Sequence, residues 1–442
     1  MPWVNLRLKT ADSQLVTTAD GQDFRTADLG YIAGDEEQNK RIYIEVYSPD
    51  ADKDTLLSDS GGYIALLEPL DGTIIEHELR GRYDCTLYVS LDEDERWKAV
   101  QPYSRIKVPM RYHDEDKPQI FIVTTVEKSM GISGSKQLKV MATHISYALA
   151  GVITSDVSGN PEASVTIGGA EGLNALLSAI KTTPEAATLE HAENMAAVLD
   201  DFEITSDISA IGGTGALPIV RTERINLIDY LFNTYAAQYD AHIYRDNFTI
   251  QIDKEMHDRR TAGTIKYGVN MTDVECTVDT SEVYTNVIAN YDPPVFIPLY
   301  YEMPADDLEK MPYRRYKNIV VSSSVDGITE ASEDTLDQLH EIFMHSAEKW
   351  AEYHFKPLIN LSVSFADIEH NAEYEDFLGL RQYEVGDLVS VYHEGLDITF
   401  TEREIIRTRF DVCRQKITDI EIGDFRASIA RENYDFSNIR EV

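Results

Sequence analysis

The stretch that decides the fold runs QIFIVTTVEKS at Gln119–Ser129 and then LKVMATHISYALAGVI at Leu138–Ile153. Apolar, largely β-branched residues dominate Gln119–Glu127 and recur in Leu138–His144, a composition typical of partly buried strands. The glycines of Gly131–Gly134 lie between the two runs and favour a turn. This stretch therefore predicts a β-hairpin.

Strand patterns recur on both sides of this hairpin. Towards the N-terminus, Arg41–Tyr47 places its β-branched residues at every second position. Towards the C-terminus, Ile359–Phe365 alternates apolar residues with asparagine and serine. Further strand-like runs follow at Leu388–Tyr392, Ile398–Arg409 and Ile417–Ile422. The alternation predicts β-rich units at both ends of the chain.

The middle of the chain mixes helix and strand. Leu173, Leu176, Leu177 and Ile180 have the i, i+3, i+4, i+7 spacing of a helix with one apolar face. His242–Asp253 returns to a strand-like pattern. The residues therefore predict a mixed α/β unit between two β-rich units.

Length and charge limit the classes of protein that need to be considered. The chain has 442 residues, which exceeds the roughly 250–300 residues at which a single core stops growing, so we expect several domains. Its 77 acidic and 40 basic side chains give a formal net charge of −37. This excess argues against specific nucleic-acid binding and against adsorption to anionic membranes.

Segments that would direct the chain to a membrane or through one are not evident in the sequence. No run approaches the roughly 18 apolar residues of a membrane span, and Met1–Thr10 lacks the apolar core of a signal peptide. Cys85, Cys276 and Cys413 are too far apart to suggest a disulfide framework. We therefore expect synthesis in a reducing cytoplasm and no stable membrane insertion.

The segments that most resemble metal-binding motifs lack the residues or the spacing that such sites require. The histidines of HEIFMH (His340–His345) are i and i+5, whereas a zinc-binding helix needs i and i+4. Asp50–Asp54 begins like a calcium loop, but Thr55 and Gly61 replace the glycine and glutamate that such a loop requires. Acidic pairs are too numerous to single one out. We expect no catalytic residues, no metal and no cofactor.

Three segments, in order, resemble one family. They are the stretch Gln119–Ile153, IKYGVNMTDVECTVDTSEVYTNVIANY at Ile265–Tyr291, and YEVGDLVSVYHEGLDITFTEREIIRTRFDVCRQKITDIEIGDF at Tyr383–Phe425. Together they resemble phage tail-tip, or baseplate, hub proteins, which form the structural N-terminal portion of the prophage endopeptidase-tail (tail-associated lysin, Tal) family. The resemblance implies structural signature residues at turns and strand ends: Tyr267, Gly268, Asn270, Gly386, Asp387, Arg403, Asp411 and Gly423.

The resemblance also implies a β-rich α+β multidomain fold, in which two tail-tube-type β-domains flank a mixed α/β peripheral domain in a ring-forming trimer. The corresponding division is a tube-type domain at 1–127, a peripheral domain at 128–265 and a second tube-type domain at 266–425. The last contains an inserted Pro-rich connector (292–330) and a helix (332–353). A short C-terminal tail (426–442) follows.

Function follows from the same resemblance. It implies a homotrimer at the virion tail tip, made in the host bacterial cytoplasm, that extends or closes the tail tube. Its partners would be a distal-tail or tail-tube protein, a tape-measure protein, and receptor-binding, spike or baseplate proteins. Longer family members continue into a peptidoglycan-cleaving or fibre domain. Asp424–Val442 is too short for one, so we expect no enzymatic activity.

The acidity permits two interpretations. An acidic channel wall would let DNA pass without holding it, because it repels phosphate. A generally acidic surface would serve solubility alone. Three alternative functions also stay open: the hub of a contractile injection particle or bacteriocin, a carboxylate-based cell-wall glycan hydrolase, and a soluble adhesin or carrier module.

Overall fold

A computed structural model describes most of the chain between residues 41 and 423. The described residues are 41–58, 61–91, 94–112, 115–130, 136–154, 169–182, 189–208, 226–236, 241–256, 259–269, 271–292, 299–322, 344, 348, 351, 354–365, 383–423 and 439–441. The described residues from Tyr43 onwards belong to one compact unit.

The N-terminal third consists mainly of antiparallel strands. They are β1 (Ile44–Tyr47), β2 (Ala65–Leu67), β3 (Ile74–Glu78), β4 (Tyr83–Ser90), β5 (Arg105–Val108), β6 (Arg111–Tyr112), β7 (Glu115–Asp116), β8 (Gln119–Met130) and β9 (Lys136–His144). Helix α1 (Lys53–Leu57) and two 3₁₀ helices, Arg96–Ala99 and Ile145–Gly151, connect them. β8 and β9 pair in antiparallel register, which confirms the predicted hairpin. Its predicted Gly131–Gly134 turn lies outside the described residues.

The middle third forms a small α/β unit. Its elements are α2 (Gly169–Thr182), α3 (Leu189–Asp200), β10 (Glu203–Ser206), α4 (Leu227–Asp229) with a π-helical continuation (Tyr230–Tyr235), β11 (His242–Asp246) and β12 (Thr249–Asp253). The strands are ordered β10-β12-β11. The predicted apolar face of α2 is confirmed, because Leu173, Leu176 and Ile180 are buried in the same core cluster as Ile250.

The C-terminal third returns to strands. They are β13 (Thr261–Lys266), β14 (Met271–Asp279), β15 (Asn286–Asp292), β16 (Leu299–Glu302), β17 (Tyr316–Ser322), β18 (Leu358–Phe365), β19 (Leu388–His393), β20 (Ile398–Asp411), β21 (Lys416–Gly423) and β22 (Ile439–Glu441). Helix α5 (Ala305–Leu308) lies between β16 and β17, and a 3₁₀ turn (Glu394–Leu396) joins β19 to β20. The four strands predicted from alternation in this third are all confirmed.

One sheet contains strands from both the N-terminal and the C-terminal third of the chain. Its thirteen strands run β14-β18-β21-β20-β3-β4-β9-β8-β5-β1-β2, and β19 joins β13 to β20. The junction is the antiparallel pair of β20 with β3, in which Arg409 lies opposite Glu76. The β-rich fold is therefore confirmed. The two predicted β-rich regions share one sheet of mainly antiparallel strands.

Two regions predicted as connections contain strands. The Pro-rich connector (292–330) includes β16, α5 and β17, and the C-terminal tail (426–442) includes β22. These strands join β15 in a four-stranded sheet of order β16-β15-β17-β22. Pro304 and Pro312 lie between strands, where no ladder hydrogen bond is lost. The prolines thus mark breaks between short strands, and the segments between those breaks contribute to a sheet.

The domain boundaries stay a prediction. β8 continues through residue 127, where the first boundary was drawn, and both β8 and β9 belong to the large sheet. Of the predicted helix 332–353, only Met344, Glu348 and Ala351 are among the described residues, and all three are helical. In the described part of the chain, no helix is long and apolar enough to cross a membrane.

Candidate functional site

One face of the large sheet is charged across six neighbouring strands, from β14 to β4. Side chains of directly paired residues project to the same face of a sheet, so the pairing register identifies them. One cross-strand row consists of Asp273, Ser364, Asp419, Arg409, Glu76 and Asp84. The adjacent row consists of Glu275, Ser362, Glu421, Arg407 and Glu78. We call these two rows the charged face.

Carboxylates dominate the charged face, and only some of them are neutralised. Arg407 Nη2 lies 2.8 Å from Glu421 Oε1. Arg82, in the turn between β3 and β4, lies 3.8 Å from a carboxylate oxygen of Asp84. Partial burial raises the pKa of Asp84, and the neighbouring Glu78 carboxylate raises it further, whereas Arg82 opposes the shift. The face therefore presents a net negative potential to any group that approaches it.

The opposite face of the same strands forms the core, except at the edge. Ile75, Leu361 and Ile420 are buried there. On β14, however, Cys276 is exposed and the Val278 side chain is 58% exposed. Among the described strands, β14 pairs with β18 alone, apart from an isolated bridge between Met271 and Tyr267 at its start. In the described part of the chain it is thus an edge strand with open backbone groups and exposed apolar side chains, the arrangement that favours pairing with another chain.

The predicted Gly386–Asp387 signature forms a tight turn at the start of β19. Gly386 has φ +95°, and its N–H donates to the Ile405 carbonyl at 2.8 Å. The Asp387 carboxylate accepts from the N–H groups of Arg260 (2.9 Å) and Glu384 (3.0 Å). Asp387 is therefore a structural residue of this turn, since both carboxylate oxygens accept backbone N–H groups.

The same turn buries a carboxyl group that sequence reasoning missed. Glu384 is 2% exposed, and its Oε2 accepts no hydrogen bond from a described residue. Burial raises the pKa of Glu384 well above its ordinary value, and the nearby Asp387 charge adds to this shift. The sequence pattern YEVGD offers no signal for burial, because glutamate at a turn is ordinarily solvated.

Replacing Glu384 with glutamine should stabilise the protein at neutral pH. The pKa of Glu384 is higher in the folded chain than in the unfolded chain, so the folded state is favoured wherever this carboxyl group stays protonated. This contribution to stability is complete below about pH 4.5 and is lost as the pH rises. The advantage of E384Q should be absent near pH 4.5 and grow by up to about 1.4 kcal/mol per pH unit above it. Urea unfolding between pH 4.5 and 8 measures this.

The exposed Glu275 provides the control for that measurement. E275Q removes a carboxylate from the charged face, so its effect on the free energy of unfolding should stay within about 0.5 kcal/mol. If E384Q raised the free energy of unfolding by the same amount at every pH, the result would contradict the explanation by a buried carboxyl group.

The signature residues at the start of the last predicted domain form a second turn. Tyr267 and Gly268 follow β13, and Gly268 has φ +80°. The Tyr267 ring lies 4.2 Å from the His393 ring, centroid to centroid. Asn270 lies outside the described residues. These residues thus close the β13–β14 connection against β19.

The remaining signature residues lie on β20 and β21. Arg403 and Gly423 line one small pocket together with Phe400. A Cβ on Gly423 would lie 2.5 Å from the Ile359 carbonyl oxygen, so β18 and β21 approach too closely there for a side chain. Asp411 ends β20, and its Oδ1 accepts the Arg414 N–H of the hairpin turn at 3.0 Å.

The structure brings Arg403 and Gly423 together and leaves the other described signature residues at separate turns. They form no single chemical centre. No group of three or more His, Cys, Asp or Glu that could hold a metal occurs among the described residues. Asp52, where the sequence begins like a calcium loop, caps α1 by accepting the Thr55 N–H at 2.7 Å. Both histidines of the motif His340–His345 lie outside the described residues.

A buried aromatic stack joins the α/β unit to the large sheet, and no sequence motif predicts it. The Tyr83 ring stacks between His77 and His144, with centroid distances of 4.0 Å and 4.4 Å. From β11, the Arg245 guanidinium reaches over Tyr83 at 5.2 Å and donates to the Glu78 carbonyl at 3.1 Å. Burial lowers the pKa of both histidines, and the Arg245 charge lowers it further.

The β11–β12 turn completes this junction. Asn247, in the left-handed region at φ +50°, accepts the Ile120 N–H through its Oδ1 at 2.9 Å. Gln119 donates through Nε2 to Asp246 Oδ1, also at 2.9 Å. These bonds attach the α/β unit to the first residues of β8, which explains why Gln119 is buried although it is polar.

The large sheet, with its charged face and its attached α/β unit, has the fold of phage tail proteins. The prophage tail protein gp18 from Listeria monocytogenes EGD-e has a TM-score of 0.50 at 15% identity, over 88% of this chain and 96% of that one. No protein-family model matches the chain, and no curated protein matches it.

Two other solved structures share the fold. The tail protein from Neisseria meningitidis MC58 has a TM-score of 0.53 at 12% identity, over 89% of this chain and 98% of that chain. The prophage MuSo2 43 kDa tail protein from Shewanella oneidensis has a TM-score of 0.52 at 12% identity, over 87% and 99%. The expectation of a phage tail-type fold is confirmed.

Proposed function

We propose that this protein is the structural hub at the tip of a phage tail, acting as a homotrimer that extends or closes the tail tube. The observation that carries the proposal is the charged face, a band of carboxylates across six adjacent strands. In a ring with this face inward, the carboxylates would line the channel. A wall of this sign repels phosphate, so DNA could pass without being held.

The edge of the sheet supports a ring. β14 ends the sheet with open backbone groups and exposed Cys276 and Val278, and a neighbouring copy could cover both. Because each chain carries a formal charge of −37, copies repel one another. Apolar contacts and strand pairing at the interface would have to offset this repulsion.

The partners proposed are those of a tail-tip hub. A distal-tail or tail-tube protein would join one end of the ring, a tape-measure protein would end inside or near it, and receptor-binding, spike or baseplate proteins would attach outside. DNA would be a passing occupant only. Under this proposal, the chain is made in the host bacterial cytoplasm and becomes part of the virion tail tip.

We also propose that the protein is not an enzyme. The carboxyl group with the strongly raised pKa, Glu384, is 2% exposed and so is out of reach of a substrate. The carboxylates of the charged face lie on an open sheet surface rather than in an enclosed pocket, which a general acid requires. Reproducible release of peptidoglycan fragments by the purified chain would overturn this part of the proposal.

Electron microscopy of the purified protein tests the proposal directly. We expect negative-stain images in moderately high salt, which screens the repulsion between copies, to contain threefold rings. Their mass should be about 150 kDa, from three chains of 50.0 kDa each. Dimers or oligomers that are not rings would count against the hub.

Replacing Val278 with lysine should abolish the rings and leave the single chain folded. The substitution adds a charge to the exposed edge strand, and lysine on an edge strand blocks pairing with another chain. The melting temperature of the monomer should change by only a degree or two, because Val278 contributes little to the core. Analytical ultracentrifugation and thermal melting measure the two effects.

Ile153 supplies the matched control. It is also β-branched and half exposed, at 48%, but it follows the 3₁₀ helix beside the α/β unit. I153K should leave the rings intact. Loss of rings in both variants, or in neither, would show that the β14 edge is not the interface.

A further inference from the structure

A pocket on the core side of the large sheet has no part in the proposed channel. It lies between the 3₁₀ helix Arg96–Ala99 and β8, and its volume is about 510 Å³. Pockets of roughly 300–1,000 Å³ are typical of small-molecule sites. The apolar residues of its lining are Trp97, Val100, Pro102 and Val126, and Lys98, Gln101 and Lys128 supply polar groups. This mixture of apolar walls and a few polar groups is also typical of ligand sites.

Lys128 is the unusual group in this pocket. Its Nζ lies 4.6 Å from the centroid of the Trp97 ring, and in the described part of the chain it makes no ion pair. Lys98, in contrast, lies 2.5 Å from Glu95. In a chain with 77 acidic and 40 basic side chains, a lysine that contacts a ring rather than a carboxylate keeps its charge available. Since no carboxylate among the described residues pairs with that ammonium, it is placed to bind an anionic group that enters the pocket.

The loop that forms the pocket wall is held in a strained conformation. Glu95 and Tyr103, which bracket it, have φ +56° and +70°. A bulky residue in this region is a true outlier, and such strain clusters at ligand-binding sites. The Tyr103 N–H donates to the Val123 carbonyl at 2.8 Å, and Ser104 Oγ donates to the Ala99 carbonyl at 3.3 Å. These bonds keep the wall in place although Tyr103 itself is 72% exposed.

We propose that this pocket binds a phosphorylated sugar. The Trp97 ring and the valines would contact the apolar faces of the sugar, and the Gln101 amide would exchange hydrogen bonds with its hydroxyl groups. The Lys128 ammonium would bind the phosphate, the role in which lysine acts as a point charge. The volume of about 510 Å³ admits one such unit. The site does not depend on ring formation.

Isothermal titration calorimetry of the full chain tests the assignment, with glucose 1-phosphate as the probe. We expect saturable binding at a stoichiometry of one per chain, and weaker binding of glucose or inorganic phosphate alone. K128Q should weaken binding about tenfold or more, the effect of losing one charge-assisted hydrogen bond. K139Q is the matched control, because Lys139 lies on the adjacent strand, within 3.7 Å of Glu127, and it should leave binding unchanged.

One additional titration and a melting experiment complete the test. A phosphate-linked polysaccharide presents the same unit within a polymer, so binding of the polymer alone would assign the site to a linked rather than a free sugar. Thermal melting of K128Q and K139Q shows that both variants fold. The proposal would be overturned if neither glucose 1-phosphate nor the polymer bound, if K128Q bound as tightly as the native chain, or if inorganic phosphate bound equally well. Binding of an acidic peptide alone would overturn it too. None of these outcomes bears on whether the chain forms rings.

Discussion

Replacing Gly386 with alanine should lower the free energy of unfolding by about 3 kcal/mol, the combined cost of backbone strain and overpacking. Gly386 has φ +95°, where a side chain is strained in any surroundings. A Cβ there would also lie 2.5 Å from Met256 Cγ and 2.8 Å from Met256 Cβ. Met256 is buried with Leu79 and Ile406 in one cluster, so it has little room to move. Urea unfolding followed by circular dichroism measures the loss.

Gly72 separates the two causes. It has almost the same backbone angle, φ +91°, but a Cβ there would meet Tyr88 at an ordinary contact distance of 3.7 Å. G72A should therefore cost only about 1 kcal/mol, the contribution of strain alone. The double variant G386A/M256A should lose less stability than the sum of the losses in G386A and M256A, because M256A removes the Cγ that clashes and contacting residues are not additive. Equal losses in G386A and G72A would contradict a clash with Met256.

Acid should destabilise the fold steeply through His77 and His144. Both are buried, and burial followed by the Arg245 charge lowers the pKa of each below the ordinary value of 6.5. They stay neutral in the fold, whereas the unfolded chain takes up protons below about pH 6.5. Stability is therefore complete above that pH and falls below it, by up to about 2.7 kcal/mol per pH unit for two histidines. Urea midpoints between pH 8 and 5 measure the slope.

Replacing His77 with phenylalanine tests this origin of the acid sensitivity. Phenylalanine keeps a ring against Tyr83, and His77 Nε2 makes no hydrogen bond to a described residue that would be lost. In this variant, the slope of the free energy of unfolding against pH, below pH 6.5, should be smaller by up to about 1.4 kcal/mol per pH unit. At pH 8 both histidines are neutral in either state, so the difference there reports packing alone. An unchanged pH profile would show that His77 has no part in acid unfolding.

Local patterns predicted the elements of this fold well. The apolar, β-branched composition predicted β8 and β9. Alternation and strand-like runs predicted the strands of the C-terminal third, because a half-buried strand alternates whatever its partners are. The spacing of Leu173, Leu176 and Ile180 predicted α2 for the analogous reason. The strands in the Pro-rich connector were missed, since prolines mark breaks and say nothing of the short segments between them.

The candidate site was predictable only in part. The resemblance drew attention to Gly386 and Asp387, which the structure places in a turn together with Arg260. It gave no reason to expect Glu384 to be buried beside them. The stack around Tyr83 was also unforeseen, because His77, His144 and Arg245 are far apart in the chain and match no motif.

The sequence by itself determined that this protein is acidic and β-rich, with a central α/β unit, since charge and periodicity are properties of neighbouring residues. Only the tertiary structure decided that β20 pairs with β3, and hence that Arg409 lies opposite Glu76 in one continuous charged face. Strand order and register depend on contacts between residues that lie hundreds of positions apart. Alternation shows that a strand has one apolar and one polar face. The order and register of the neighbouring strands determine which side chains lie beside each other on each face.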